Sequence, residues 1–306
     1  MTPPALVSVV IPTLKRPALL RRAISNALGQ TYKQLEVVVV VDGPDAATLE
    51  ELSKWNEPRL RIVALPANVG LAEARNSGIR EAAGDWVAFL DDDDEWHENK
   101  IEIQVAALER EDQENNFVAC RYEERNTYTV RQMPRRFPHS AENWSEYIYV
   151  QGGVLLPSTY LVKRSLMLAV PFAKGLRYNE DADWLLRTFS TGVIRPAWVE
   201  EVLAIYHNEN EEERLSTTTP WEARYQWLSE NRSLLTRTAL PYFVARLCLP
   251  YARRSRSRFS ACAFLLWDAM KHGRMSIRSI CYLGAALFTE PEWRRRMRGG
   301  IDFNGR

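Results

Sequence analysis

Five consecutive valines, Val37–Val41, follow Leu35-Glu36 and stop at Asp42-Gly43. A β-branched run without polar alternation belongs to a strand covered on both faces, and strands of that kind build parallel sheets. Three further runs, Val7–Ile11, Leu60–Ala64 and Trp86–Leu90, alternate with helix-period segments over Pro17–Leu28, Ala46–Lys54 and Leu71–Ala83. The alternation implies repeated βαβ units, hence an α/β fold on a mostly parallel sheet flanked by helices. In such sheets ligands bind beyond the carboxyl ends of the strands. The chain places its unusual polar residues there: Pro12-Thr13 after the first strand, Asp42-Gly43 after the second, and Asp91-Asp92-Asp93-Asp94-Glu95 after the fourth.

Five carboxylates in sequence repel one another unless something positive sits among them. A hard divalent cation, Mg²⁺ or Mn²⁺, meets that need, because it takes carboxylate oxygens and leaves other positions to water and substrate phosphates. The expectation is therefore a metal shared with a diphosphate. Neither GxxxxGK[ST] nor GxGxxG occurs, so P-loop and dinucleotide-binding chemistry lack their signatures. Asp42, ahead of Gly43-Pro44, is placed either to accept hydrogen bonds from a base or ribose or to close a turn.

After Glu98 the pattern loosens. It predicts a helix over about 99–111, a strand near Phe117–Tyr122, a basic loop near Arg131–Pro138 and a helix starting near Asn143. A strand over Val154–Lys163, a helix over Glu180–Thr188 and a strand near Val199–Tyr206 follow, then a mobile loop over 208–219. Thr219-Pro220-Trp221-Glu222 has the form of a capping box opening a new helix, which sets expected domains of 1–218 and 219–306.

Four motifs carry a resemblance. They are Val7-Ser8-Val9-Val10-Ile11-Pro12-Thr13, then Gln30-Thr31-Tyr32 with Leu35–Gly43, then Asn68–Gly78, and Ala83–Asp94. In this order they resemble the family 2 glycosyltransferases, whose A-type (GT-A) fold is a Rossmann-like sheet that binds nucleotide sugars. The resemblance implies that Pro12 and Thr13 line the nucleotide pocket, Asp42 binds the base, and Arg75 reaches the uridine or diphosphate. Asp91 would touch ribose or metal and Asp93 would be the principal metal ligand, with Asp94 behind it. Asp92 is placed among the donor-binding residues as the one whose loss is best tolerated. The family often has a second acidic residue where this chain has Val41, which loosens the choice among uridine, thymidine and guanosine.

Alone, Glu180-Asp181 before Trp184-Leu185-Leu186 is an ordinary acidic helix start. Within the resemblance it is the family's Glu-Asp motif, with Asp181 as the base that takes the acceptor proton and Glu180 holding the acceptor or the base. His207, after the apolar Val202–Tyr206, would be a metal or phosphate contact, and Trp221, Arg214 and Ser216 would close over the donor. The implied reaction is inverting, metal-dependent sugar transfer from a nucleotide-diphosphate sugar, UDP-sugar favoured, to a glycan or lipid-linked acceptor in cell-surface polysaccharide synthesis. The alternatives are a nucleotidyltransferase, which would release pyrophosphate, and a non-catalytic nucleotide-sugar-binding protein.

Residues 1–231 carry 25 basic and 35 acidic side chains, net −10, whereas residues 232–306 carry 15 and 4, net +11. With Arg253–Arg258, the apolar Phe259–Trp267 and Arg294–Arg298, this basic helical extension suits an anionic membrane surface; no nucleic-acid module is present. No apolar run reaches the roughly 18–20 residues of a membrane span, and no secretory signal is visible at the N-terminus. The expected place is the cytoplasm, peripheral on the inner face of the membrane. Cys120, Cys248, Cys262 and Cys281 form no CxxC pair and are expected as buried thiols.

Overall fold

The computed structural model describes residues 5–109, 115–127, 129–208 and 219–288. Backbone contacts divide the chain into two units, Met1–Phe137 with Val154–Glu211 and Pro138–Gly153 with Glu212–Arg306.

The first unit begins with the expected alternation: β1 (Val7–Thr13), α1 (Pro17–Leu28), β2 (Leu35–Val41), α2 (Ala46–Leu52), β3 (Leu60–Ala64), α3 (Leu71–Glu81) and β4 (Trp86–Phe89). These four strands are parallel in the order β3-β2-β1-β4. Every residue of β1 is buried, as are all of Val37–Val41, so both strands are covered on their two faces. The sheet then turns mixed through β5 (Glu95–Trp96), α4 (Lys100–Glu109), β6 (Phe117–Arg125) and β7 (Val130–Met133). After α5 (Trp144–Glu146) come β8 (Tyr160–Lys163), α6 (Arg164–Ala169), α7 (Glu180–Ser190) and β9 (Pro196–His207). β8 runs antiparallel to both β4 and β6, while β9 is parallel to β6 and antiparallel to β5.

Three expectations shift here. The basic Arg131–Pro138 stretch is partly a strand, because β7 pairs with β6. The strand expected over Val154–Lys163 is confined to Tyr160–Lys163, after a 3₁₀ turn at Pro157–Thr159. All four cysteines are free, but only Cys120 and Cys248 are buried; Cys281 is exposed.

β1 lies where the strand order reverses. Its residues 7 and 13 exchange backbone bonds with the β2 side, while the Val10 carbonyl accepts from Leu90 N–H at 3.1 Å on the β4 side. By this alternation the missing N–H of Pro12 falls on the β4 side, beyond the last β1–β4 pair, Val10 with Phe89. Proline there costs no ladder bond. Beyond that pair the ladder ends, which leaves Thr13 and the aspartate turn side by side at the carboxyl ends of β1 and β4.

The second unit is helical. α5 starts at Asn143, whose side chain accepts from Ser145 N–H, and continues into a π-turn over Tyr147–Gln151. Phe243 stacks on Trp227 at 5.2 Å and meets Tyr149 edge-on at 5.1 Å. Buried Asp268 accepts from Tyr225 Oη at 3.0 Å and from Arg232 at 3.1 Å, tying Trp221–Glu230 to Arg258–His272. The N-cap of the helix Trp221–Glu230 is Pro220, not the Thr219 of the expected capping box, and the Thr219 carbonyl accepts from Arg224 Nε at 3.1 Å. Residues 209–218, where a mobile loop is expected, and the Arg294–Arg298 cluster lie outside the described residues.

α3 meets β1 and β2 through Gly78, where an added Cβ would lie 2.4 Å from Val10 Cγ1 and 3.1 Å from Val40 Cγ2. Overpacking of this kind costs about 1–3 kcal/mol. Gly78→Ala is therefore expected to lower the unfolding midpoint in urea at an unchanged slope, with α3 and everything it carries displaced.

Candidate active site

The acidic turn is closed by Asp94 N–H donating to the Asp91 carbonyl at 3.0 Å. Its positive partners are arginines from two helices. Arg75, on α3 and 1% exposed, donates through one nitrogen to both Asp91 oxygens, at 2.7 and 2.8 Å. Its other terminal nitrogen reaches Glu180 Oε1 at 3.4 Å. Burial works against the guanidinium charge, but Asp91 and Glu180 more than offset it and raise the pKa. Arg16 donates to Asp92 at 3.2 Å and to Asp93 at 3.1 Å. Arg22 donates to the Asp93 carbonyl at 2.7 Å and pairs with Glu95 at 3.0 Å. Three arginines of the protein itself thus stand among the carboxylates.

Each aspartate has a distinct environment. Asp92 is 5% exposed and accepts from Thr13 Oγ1 at 2.7 Å, joining the aspartate turn to the end of β1. Burial pushes its carboxyl up to about 6, against the Thr13 hydrogen bond. It is therefore a structural strut, with more to hold than its spacing suggests. Asp93 is the open one, its side chain 38% exposed. Asp94 accepts from Ser158 Oγ, which also accepts from Asp91 N–H at 3.4 Å; the Ser158 carbonyl takes Trp96 Nε1 at 2.7 Å. Ser158 thus clamps the turn from the 3₁₀ segment before β8.

Asp42 lies at the end of β2, buried, with its carboxylate accepting from Val69 N–H at 2.7 Å and Gly70 N–H at 3.0 Å. It fixes the loop that leads into α3. Gly70 adopts φ +88, a left-handed conformation that a side chain would strain. Pro12 is buried in β1 beside Thr13.

Glu180 and Asp181 open α7 after Asn179, which is held in the left-handed region at φ 56. Trp184, fully buried, packs against Phe172 and Phe117 and donates to the Val170 carbonyl at 2.7 Å. Asn76 exchanges two hydrogen bonds with Phe172, both 3.0 Å, so the segment before α7 is bolted to α3. Burial, and then the neighbouring Glu180, raise the Asp181 carboxyl well above the usual carboxylate range.

His207, expected as a metal contact, stands at the end of β9 with Nε2 2.8 Å from Glu95 Oε1. It meets the turn through Glu95 and Arg22. Among the described residues no group of three or more His, Cys, Asp or Glu side chains is arranged to hold an ion. Asp93 and Asp91 nevertheless fit a hard cation that takes one or two carboxylates and fills its shell with phosphate and water. Arg214 and Ser216 lie outside the described residues, and Trp221 belongs to the second unit.

Arg16, Arg22 and Ser158 escaped the sequence reading. One signal was available: Arg16 is the N-cap of a helix with no acidic residue in its first turn, opposite to what a helix dipole favours. A cation there implies an anion from elsewhere.

A parallel sheet with a run of carboxylates at its switch point, continued by a mixed sheet and an acidic helix start, defines a GT-A transferase fold. Solved structures agree. S. aureus TarS in complex with UDP-GlcNAc superposes with a TM-score of 0.60 at 18% identity, over 94% of this chain and 77% of that one. The Pyrobaculum calidifontis mannosyltransferase PcManGT, in complex with GDP-Man and Mn²⁺, gives 0.56 at 18% identity, over 97% and 84%. The family model "Glycosyl transferase family 2" matches residues 8–163. This chain belongs to glycosyltransferase family 2 and is a glycosyltransferase. It is 28% identical to the amylovoran biosynthesis glycosyltransferase AmsB of Erwinia amylovora over 65% of this chain and 69% of that protein. It is also 32% identical to the Escherichia coli UDP-Glc:alpha-D-GlcNAc-diphosphoundecaprenol beta-1,3-glucosyltransferase WfgD, over 34% of this chain and 41% of that protein. The match to an uncharacterised Rickettsia bellii glycosyltransferase, at 39% identity, spans only 16% of that relative.

Removing one partner from a buried ion pair leaves the other uncompensated and costs about 3–5 kcal/mol. Arg75→Met is expected to destabilise the protein by that order. In a cycle with Asp91→Asn, the double variant should be less destabilised than the sum by about 1–3 kcal/mol, measured by urea unfolding. Strict additivity would mean the pair contributes nothing.

Proposed function

We propose that the chain transfers a sugar, with inversion and with a divalent cation, from a nucleotide-diphosphate sugar to a hydroxyl of a glycan or lipid-linked acceptor in cell-surface polysaccharide synthesis. UDP-sugars are favoured as donors, and the reaction belongs at the cytoplasmic face of a membrane to which the protein is peripheral. The observation that carries this reading is Arg75, which joins the donor-side carboxylate Asp91 to the acceptor-side pair Glu180-Asp181. WfgD is named for glucosyl transfer to a GlcNAc-diphosphoundecaprenol and AmsB for amylovoran biosynthesis, which supports the acceptor class. Among the described residues no helix is long and apolar enough to cross a membrane.

The acceptor oxygen attacks the anomeric carbon opposite the diphosphate. The bond from that carbon to the nucleoside diphosphate breaks with its electron pair on the leaving oxygen, and the acceptor proton passes to Asp181. A raised pKa makes Asp181 a stronger base than a solvated aspartate. Glu180, held by Arg75, keeps the base and the acceptor in place. Thr13 and Pro12 wall the nucleoside, while Asp42 holds the loop over the base and offers it its remaining lone pairs. A cation bound by Asp93 and Asp91 would supply charge stabilisation for the leaving diphosphate. His207 steadies Glu95 and Arg22, and through them the backbone of Asp93.

UDP, GDP and dTDP, each with and without Mn²⁺, are the probes. One nucleotide, UDP, should raise the melting temperature, and more so with Mn²⁺. Turnover should release the nucleoside diphosphate; pyrophosphate would identify a nucleotidyltransferase. Asp93→Asn and Asp181→Asn should fold and lose at least about a hundredfold in rate. Wild-type rates in both would overturn the mechanism. Since the base must be ionised, activity should fall as pH drops through the raised Asp181 pKa. The acid limb of kcat/KM should therefore lie well above the pH of about 4 typical of aspartate.

A further inference from the structure

In the second unit the helix Arg258–His272 buries one face through Ala261, Leu265, Asp268 and Ala269. Its opposite face should then be polar. Instead Phe259, Ala263, Trp267 and Met270, at successive spacings of four, four and three, form an outward apolar stripe. Phe259 is 80% exposed, and Trp267 and Met270 are half-exposed or more. The next helix, Ile277–Phe288, repeats the pattern. It buries Ser279, Leu283 and Ala286 and turns Ile277, 83% exposed, and Ile280 outward.

The charges around these stripes have one sign. Arg254, Arg256 and Arg258 precede the first, Lys271 and Arg274 lie between the two, Arg278 is on the second helix, and all six are exposed. Asp268 is the only acidic residue in 249–288, and it is buried against Arg232. Cations also sit over the aromatic rings, Arg258 at 4.9 Å from Phe259 and Lys271 at 4.5 Å from Trp267.

We infer that the two exposed stripes of Arg258–His272 and Ile277–Phe288 form a docking surface for anionic phospholipid, with Phe259, Trp267 and Ile277 inserted at the boundary between headgroups and acyl chains. Helices with a basic border and bulky apolar residues lie in that boundary, where tryptophan places its ring at headgroup level. Side chains that protrude singly suit a fluid phase, whereas a protein partner would have to provide a pocket for each. A second copy meeting this face through the same face would set one basic border against the other. The inference deepens the membrane element of the proposed function and does not depend on the chemistry of transfer.

The full chain is floated with vesicles containing phosphatidylglycerol and with vesicles of phosphatidylcholine alone. Binding is expected to the first only and should weaken as salt rises. The triple variant Phe259→Ser, Trp267→Ser, Ile277→Ser should bind at least about tenfold more weakly, since each such side chain returned to water is worth about that factor or more. Its melting temperature should match the wild type, with the same shift by UDP and Mn²⁺. Absence of wild-type binding, equal binding to both lipids, or full binding by the triple variant would each overturn the inference. So would a triple variant that sediments as a smaller oligomer than wild type, which would mark the face as a contact between copies. If neither protein responds to nucleotide while lipid binding behaves as expected, the transferase reading fails and the docking surface stands.

Discussion

The site depends on a cation that cannot leave. Arg75 has a side chain 2% exposed, and a guanidinium in that position is tolerable only with carboxylates on it. Asp91 and Glu180 supply them from segments 16 and 105 residues away along the chain. The dependence runs both ways, because the aspartate turn and the acidic start of α7 would repel each other without it. Rigidity elsewhere keeps the three together. α3 is seated against β1 and β2 at Gly78, Asn76 grips Phe172, and Trp184 anchors α7 in an aromatic cluster with Phe117 and Phe172.

What could be read from sequence and what could not divide along a physical line. Parallel strands covered on both faces declare themselves through composition, so Val7–Ile11 and Val37–Val41 were legible, and with them the polar residues at their carboxyl ends. β5 and β7 were not. A two-residue strand has no period, and β7 is a strand only because β6 lies alongside to pair with it. The Thr219-Pro220 signature misled because a capping box needs the serine or threonine itself at the cap, and here the proline occupies it.

The same line runs through the site. The residue types at Asp91–Asp94, Arg75 and Glu180-Asp181 announced polar chemistry, but a charge run is read as unbalanced when its counter-ions are distant in sequence. Arg16 and Arg22 lie more than 70 residues before the aspartates they serve, and Ser158 lies 64 after Asp94. Spacing also ranked the aspartates by family position, whereas burial ranks them by environment. Asp92 is a strut to Thr13, Asp94 is clamped by Ser158, and the open carboxylate is Asp93.

The arginines constrain what the proposed donor site would accept. A divalent cation arriving alone would face Arg16 on Asp93 and Arg75 on Asp91, and would have to compete with both for the same oxygens. A diphosphate arriving alone would find the arginines attractive but would stand against four aspartates and Glu180. Together the two bring little net charge, and each relieves the repulsion that opposes the other. Arg16, partly exposed at the rim, can then exchange a carboxylate partner for a phosphate one at small cost, whereas Arg75, sealed beneath it, keeps Asp91 and Glu180 in register throughout. The arrangement therefore favours cation and diphosphate as a pair over either one singly.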